Sequence, residues 1–211
     1  MGDRIDVSGL GKLSIADKVD APLLVVFGGT AVDKEDLDGI HREKETLVSS
    51  GDYMWTFMSG IQSRYHIFVA VSQDVDGKEA YEKLISKLQD QKLSPSSQIL
   101  YLFSGGWRPG RKVLLRDEGT DPFKSIFLVD IWMGVTKKSG SMSPDFYKAL
   151  ASKHTDMITY VFTEHGAVND KARDFIANLV PKRAILVDPQ EGEHGRQTHM
   201  RTNTVAVGML P

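Results

Sequence analysis

The chain has 211 residues, a formal net charge of -2 with 26 basic and 28 acidic residues, and no cysteine. The absence of cysteine excludes disulfides, thiolate metal sites and cysteine nucleophiles, and the balanced charge argues against a nucleic-acid-binding surface. The apolar runs are too short for a membrane span, and residues 1–20 are too charged for a secretory signal. We therefore expect a cytoplasmic, soluble protein that folds as a single domain over residues 1–211, with a polar N-terminal segment at residues 1–20.

Six apolar runs, rich in β-branched and aromatic residues, predict the strands. None of them alternates strictly with polar residues, and such continuous runs are typical of strands buried on both faces of a parallel sheet. The predicted strands are Leu23–Phe27, His66–Val71, Ile99–Phe103, Ser125–Ile131, Ile158–Phe162 and the shorter Ala184–Val187.

The segments between these runs predict helices. Gly77–Gln91 carries apolar residues at helical spacing, with lysine and glutamate on the other face. A second helix is predicted to begin at Ser143, a natural N-cap that Pro144 follows. A third is expected after Asn169 or Asp170, with an apolar stripe formed by Ala172, Phe175, Ile176 and Leu179.

Strands that alternate with helices indicate an α/β protein with right-handed crossover connections. The sequence therefore predicts a three-layer sandwich with a mostly parallel sheet of about six strands. The polar segment Asp33–Ser50 is predicted to be a long loop with a helix. We expect Trp55, Phe57 and Met58 to belong to the core, with an acyl pocket as the alternative.

Ligands bind beyond the carboxyl ends of the strands in an open α/β sheet, so the residues that follow each strand are site candidates. A serine, several acids and two histidines follow successive strands in that chain order. They are Ser104 after the third strand, Asp130 near the end of the fourth, Asp170 after the fifth, and His194 and His199 after the sixth.

This arrangement resembles an α/β-hydrolase from about residue 22 to the C-terminus. The segment "LFSGG" at Leu102–Gly106 matches most of the G-x-S-x-G nucleophile elbow. The segment "VVFGGT" resembles the early loop that supplies an oxyanion-hole amide in that family. The segments "ITYVFTEHGAVND" and "RAILVDPQEGEHG" resemble the last two strands, whose loops deliver the acid and the histidine.

The resemblance implies a serine hydrolase that cleaves an ester or related acyl bond in a small-molecule or acyl substrate, without a metal or cofactor. Ser104 would attack, His194 would carry the proton and Asp170 would orient the histidine, with Asp130 and His199 as the alternates. The backbone amides of Gly105 and of Gly28 or Gly29 would bind the oxyanion.

Two departures from the family pattern leave alternatives open. Leu102 stands where the elbow normally has glycine, and Pro109 with Gly110 predicts that the next helix starts late or is distorted. One alternative is thus a binding or interaction protein that keeps the fold but not the activity, with Ser104 simply ending a strand.

Another alternative is a metal- or phosphate-dependent enzyme that uses His194, His199 and an aspartate, and Glu193 with the two histidines forms a possible metal group. The two histidines are five residues apart, which does not match the i, i+4 pair of a helical zinc site. The sequence carries no signal for the substrate or the oligomeric state.

Overall fold

A sheet of parallel and antiparallel strands forms the centre of the molecule. The computed structural model describes residues 4–29, 32–33, 47–116, 122–131, 150–152, 155–163, 170–193 and 195–211, and within these ranges the sheet has eight strands. They are β1 Ile5–Asp6, β2 Gly11–Ser14, β3 Leu23–Phe27, β6 His66–Ala70, β7 Gln98–Phe103, β8 Phe123–Val129, β9 Ile158–Phe162 and β10 Ala184–Leu186. Their order across the sheet is β1-β2-β6-β3-β7-β8-β9-β10. A small separate sheet pairs β4 Val32–Asp33 with β5 Leu47–Val48 in antiparallel fashion.

The six predicted strands are confirmed, and they are the parallel part of the sheet. Each pairs in parallel with its neighbours from β6 through β3, β7, β8 and β9 to β10. The largest difference in bounds is at β8, which spans Phe123–Val129 rather than Ser125–Ile131. The apolar runs predicted the inner strands because strands such as β3, β6 and β7 are buried on both faces. The shorter run of β10 forms the edge of the sheet and is only partly buried.

The N-terminal segment, predicted only to be polar, forms two further strands. The strands β1 and β2 are antiparallel to each other, and β2 pairs antiparallel with β6 at one edge of the sheet. The turn between them places Ser8 and Gly9 at positive φ values of 53° and 71°. A Cβ on Gly11 would overlap the Phe68 ring, so glycine allows β2 to lie against β6.

Five helices whose bounds lie within the described ranges cover the two faces of the sheet. They are α1 Ser50–Met58, α2 Gly77–Asp90, α3 Trp107–Leu114, α4 Asp170–Leu179 and α5 Gly195–Gly208. The helices α1 and α5 pack on one face, and α2, α3 and α4 pack on the other. This is the predicted three-layer sandwich. None of the described helices is both long enough and apolar enough to cross a bilayer.

The predicted helix at Gly77–Gln91 is confirmed as α2. Of the three residues predicted to lie in the core, Trp55 and Met58 are buried, whereas Phe57 is only partly buried against the same cluster. In α4 the predicted stripe is only partly covered: Ile176 is buried, but Phe175 is 40% exposed. The reason is that α4 packs at the edge of the sheet over β9, and beyond it lies only the three-residue β10. The helix predicted at Ser143 lies outside the described residues.

The segment Asp33–Ser50 is outside the described residues except at its two ends. These ends belong to the two-stranded sheet and to the start of α1. The structure thus places a strand at each end of this segment, which was predicted to be a loop with a helix.

The buried side chain of His66, at the start of β6, contacts the backbone of the segment that follows β2. Its Nδ1 accepts a hydrogen bond from the Ala16 amide at 3.2 Å, and its Nε2 lies 3.2 Å from the Val19 carbonyl oxygen. This pair of contacts requires the neutral imidazole. Burial lowers the pKa of His66 below its ordinary value of 6.5, against the opposing effects of the Val19 carbonyl and nearby Asp20.

His66 predicts a measurable pH dependence of stability. The folded protein binds a proton at His66 less readily than the unfolded chain does. Stability is therefore full above pH 6.5 and falls as the pH decreases from 6.5 toward the folded-state pKa. Urea unfolding across this window should give a steeper loss for the native chain than for His66→Gln. Parallel stability curves for the two proteins would contradict this account.

Candidate active site

Ser104 lies on a sharp turn at the carboxyl end of β7. Its φ is 52°, in the left-handed region that non-glycine residues rarely adopt. A 3-10 turn at Ser104–Gly106 leads directly from the strand into α3. Residues held in such backbone conformations cost of order 1–3 kcal/mol and cluster at functional sites. The strand-turn-helix geometry is that of a nucleophile elbow.

Glycines allow the loop after β3 to approach this turn. A Cβ on Gly29 would lie 2.6 Å from the Cβ and 2.7 Å from the Oγ of Ser104. A Cβ on Gly106 would overlap the carbonyl oxygen of Phe27. The loop after β3 therefore packs closely on the turn, with Gly29 against the Ser104 side chain and Gly106 against the backbone of Phe27.

The bulk of Leu102 is accommodated away from the turn. Its side chain is buried in the cluster beneath α2 and α3, where a Cβ on Gly110 would overlap its Cδ atoms. Glycine at position 110 of α3 thus provides the space that Leu102 needs. The helix was expected to start late or to be distorted: a 3-10 turn at Ser104–Gly106 precedes it, and the α-helix itself begins at Trp107. Pro109 falls in its first turn, where the missing N–H removes no intrahelical hydrogen bond.

Asp130 follows β8 and is completely buried. Its Oδ2 lies 2.5 Å from Nδ1 of His199, which lies in the second turn of α5. Thr163, after β9, donates to the same carboxylate, from its amide to Oδ1 at 3.5 Å and from its hydroxyl to Oδ2 at 3.3 Å. The carboxylate is therefore compensated in the interior by donors from two neighbouring elements.

The imidazole of His199 is held by a second contact, which comes from the strand of Ser104. Its ring stacks on that of Phe103, with the centroids 4.6 Å apart and the planes at 27°. Phe103 is the residue directly before Ser104 in β7. When Nδ1–H donates to Asp130, Nε2 is the nitrogen left to accept a proton.

Of the acids and histidines predicted as site residues, the structure brings together the alternates, Asp130 and His199. Asp170 is the first residue of α4, and its side chain lies outside the described part of the chain. His194 also lies outside the described residues. His199 lies in a helix, α5.

The predicted oxyanion amides differ in their partners. The Gly29 N–H donates to the Tyr53 hydroxyl oxygen at 2.8 Å, so this amide is engaged within the protein. Tyr53 is a buried residue of α1 whose ring meets that of Phe103 edge-on, with the centroids 6.1 Å apart. For the other two predicted amides, those of Gly28 and Gly105, no side-chain partner is found within the described ranges.

Gln73, after β6, lies beside the turn at Ser104, although the sequence did not single it out. A Cβ on Gly105 would overlap its side-chain Oε1 atom, so Gly105 must stay glycine while Gln73 occupies this position. The Oε1 atom is buried and has no hydrogen-bond partner among the described residues. Gln73 follows a strand, as the predicted site residues do, but nothing in its local sequence distinguishes it from its neighbours. Tyr53 lies within α1 and does not follow a strand of the main sheet.

The acidic loop before α5 is organised by an ion pair. Arg201 donates to both carboxylate oxygens of Glu193 at 3.0 to 3.2 Å and also to the Asp188 carbonyl oxygen. The hydrogen bond from Arg201 holds the pKa of Glu193 below its usual value. Among the described residues no group of three or more histidine and carboxylate side chains is placed to hold a metal ion.

No protein-family model matches the chain, and no curated protein matches its sequence. Solved structures do resemble it. MGS-M1, an alpha/beta hydrolase from a Medee basin deep-sea metagenome library, is 14% identical with a TM-score of 0.51, over 92% of this chain and 82% of that one. Carboxyl esterase 2 from the fungus Tuber melanosporum is 11% identical with a TM-score of 0.52, over 93% and 77% of the two chains.

An IroE-like serine hydrolase from Shewanella oneidensis is 10% identical with a TM-score of 0.52, over 97% of this chain and 78% of that one. Such low identities show the fold alone. This chain therefore has the α/β-hydrolase fold over nearly its whole length.

The fit between Leu102 and Gly110 predicts an unusual response to alanine. Alanine normally stabilises a helix by about 1 kcal/mol relative to glycine. Here Gly110→Ala should instead destabilise the protein by about 1–3 kcal/mol, because the added methyl group overpacks against Leu102. Urea unfolding measures this change.

Gly208→Ala provides the matched control, because a Cβ at that helical position has open space around it. The cost of Gly110→Ala should also shrink when Leu102 is replaced by alanine. An equal effect in both backgrounds would contradict the proposed fit.

Proposed function

We propose that this chain is a serine hydrolase that cleaves an ester or related acyl bond in a small-molecule substrate, using Ser104, His199 and Asp130. The coarse class is supported by the α/β-hydrolase fold and by structural neighbours that include a carboxyl esterase and a serine hydrolase. The assignment of roles is supported by the strained turn at Ser104 and by the contacts of His199.

The observation that carries the proposal is the double contact of the His199 ring. One contact is the hydrogen bond to the buried Asp130, and the other is the stacking on Phe103, next to Ser104 in the chain. A histidine that only filled space in the core would not need a buried carboxylate on Nδ1. A histidine that accepts a proton at Nε2 does, because the carboxylate fixes the tautomer and stabilises the imidazolium that forms.

The reaction begins with attack of Ser104 Oγ on the acyl carbon of the substrate. The hydroxyl proton passes to His199 Nε2 while the new C–O bond forms, and the carbonyl oxygen becomes an oxyanion. Collapse of this intermediate breaks the bond to the leaving alcohol, which takes the proton from His199. The products of this half-reaction are the free alcohol and an ester on Ser104.

Water completes the cycle by the same route. It attacks the ester on Ser104, gives a proton to His199 and forms a second oxyanion. Collapse releases the carboxylic acid and returns the proton to Ser104. Gly105 and Gly28 supply the oxyanion amides, and each such donor is worth on the order of 3 kcal/mol in the transition state. The Gly29 amide supports this loop through Tyr53 instead.

Labelling with a fluorophosphonate probe tests the nucleophile. The native chain should react at Ser104, with loss of fluoride and formation of a phosphonyl ester that peptide mass spectrometry locates. Ser104→Ala should not be labelled, while Ser72→Ala, at a serine after β6, should be labelled as the native chain is. A folded native chain that resists labelling would overturn the proposal and favour the binding-protein alternative.

The choice of histidine is tested in the same assay. His199→Asn should abolish labelling, because no base is then left to take the serine proton. If His194 were the base instead, His194→Asn would abolish labelling and His199→Asn would not. Labelling that persists in His199→Asn and disappears in His194→Asn would transfer the role of base to His194.

Asp130→Asn should leave the fold intact and lower the labelling rate by about 10⁴-fold, because an amide favours the wrong imidazole tautomer. Asp188→Asn is the control, since Asp188 is an exposed acid after β10. A native rate in Asp130→Asn combined with a lost rate in Asp170→Asn would assign the acid to Asp170.

A further inference from the structure

A buried polar contact joins the nucleophile strand to the helix that carries His199. The Tyr101 hydroxyl donates to Asn203 Oδ1 at 2.9 Å, and both residues are 0% exposed. The surrounding cluster consists mainly of apolar side chains. Asn203 Nδ2 is buried and has no hydrogen-bond partner in the described part of the chain, and such a group costs about 1–3 kcal/mol. Two apolar side chains would pack here at lower cost, so the contact calls for another explanation.

The position of the contact supplies that explanation. Tyr101 lies two residues before Phe103 on the same face of β7, and Asn203 lies one helical turn after His199 in α5. The Tyr101–Asn203 contact therefore lies directly below the Phe103–His199 contact. The step from Tyr101 to Phe103 along the strand is about 6.6 Å, and the step from Asn203 back to His199 along the helix is about 6 Å. Because the two steps are nearly equal, both pairs of side chains can meet when the helix runs antiparallel to the strand.

A helix that packs only through apolar contacts tolerates small shifts along its axis. A slip of one residue rotates every side chain by about 100° and moves it by about 1.5 Å. A hydrogen bond weakens steeply outside its narrow range of distance and angle, so it fixes both translation and rotation. Burial raises the pKa of the Tyr101 phenol well above its ordinary value, so the hydroxyl remains a donor at any working pH.

We propose that Tyr101 and Asn203 are positioning residues that fix α5 against β7 and thereby place the His199 imidazole against Ser104. The proposal rests on the proposed function, because it assigns His199 the role of base. It goes beyond that function in naming the device that holds the base in place. In this chain the base lies in a helix, so its position depends on the register of that helix rather than on a local loop.

Tyr101→Phe tests the proposal, with Tyr65→Phe as the matched control. Tyr65 is an equally buried tyrosine of the same cluster, and its hydroxyl donates to the Pro211 carbonyl oxygen beyond the far end of α5. Both variants lose one buried hydroxyl that anchors the C-terminal segment. The fluorophosphonate labelling rate should fall about 10-fold in Tyr101→Phe, since misplacement of a catalytic group by 1 Å can cost as much as 100-fold. It should remain native in Tyr65→Phe.

Hydrolysis of p-nitrophenyl acetate separates positioning from substrate binding. Tyr101→Phe should lower kcat and leave KM unchanged, because the hydroxyl does not touch the substrate. Asn203→Leu should give the same loss, and the double variant should be no slower than either single variant, since both remove one interaction. Native rates in Tyr101→Phe, or equal losses in Tyr101→Phe and Tyr65→Phe, would overturn the proposal.

A spectroscopic measurement keeps the proposal testable if the native chain proves not to be a hydrolase. The proton between His199 Nδ1 and Asp130 should give a downfield resonance in the proton NMR spectrum, whether or not Ser104 reacts. This resonance should persist in Tyr65→Phe and broaden or disappear in Tyr101→Phe. An unchanged resonance in Tyr101→Phe would overturn the positioning role, whereas failure of the native chain to react with the probe would overturn the proposed function.

Discussion

The close backbone contact between the loop after β3 and the turn after β7 is the constraint on which the site depends. Ser104 adopts a left-handed conformation there, and such conformations persist only where the surrounding packing holds them. Gly29 and Gly106 permit the approach, since a side chain at either position would collide with the turn or with β3. The strain at one residue is thus held by the packing of two parallel strands.

The face of the sheet that carries α1 and α5 supports this turn through aromatic and polar contacts. Tyr53 reaches the Gly29 amide from α1, and its ring meets Phe103 edge-on. Phe103 in turn stacks on His199, whose Nδ1 is bonded to Asp130. Elements from four parts of the chain therefore converge beneath one serine. A substitution in α1 or α5 that alters these contacts would therefore shift the position of Phe103 or His199.

The opposite face of the sheet explains how the departures from the family pattern are tolerated. Leu102 would be too large for a tight turn if its side chain faced the serine, but it lies in the core beneath α2 and α3. Gly110 in α3 provides the complementary space, and Pro109 occupies the one part of that helix where proline removes no hydrogen bond. The unusual residues on both sides of the elbow thus compensate one another.

The sequence by itself determined the layered α/β architecture, the six parallel strands and the strand-turn-helix context of Ser104. Each of these depends on residues that are close in the chain, such as the buried run Ile99–Phe103 followed by Ser104 and two glycines. Only the tertiary structure decided which acid meets which histidine. Asp130 and His199 are 69 residues apart in the chain, and their contact depends on how α5 lies across the sheet. No local sequence pattern encodes that packing. The same is true of two other contacts between distant parts of the chain, Gly29–Tyr53 and Tyr101–Asn203.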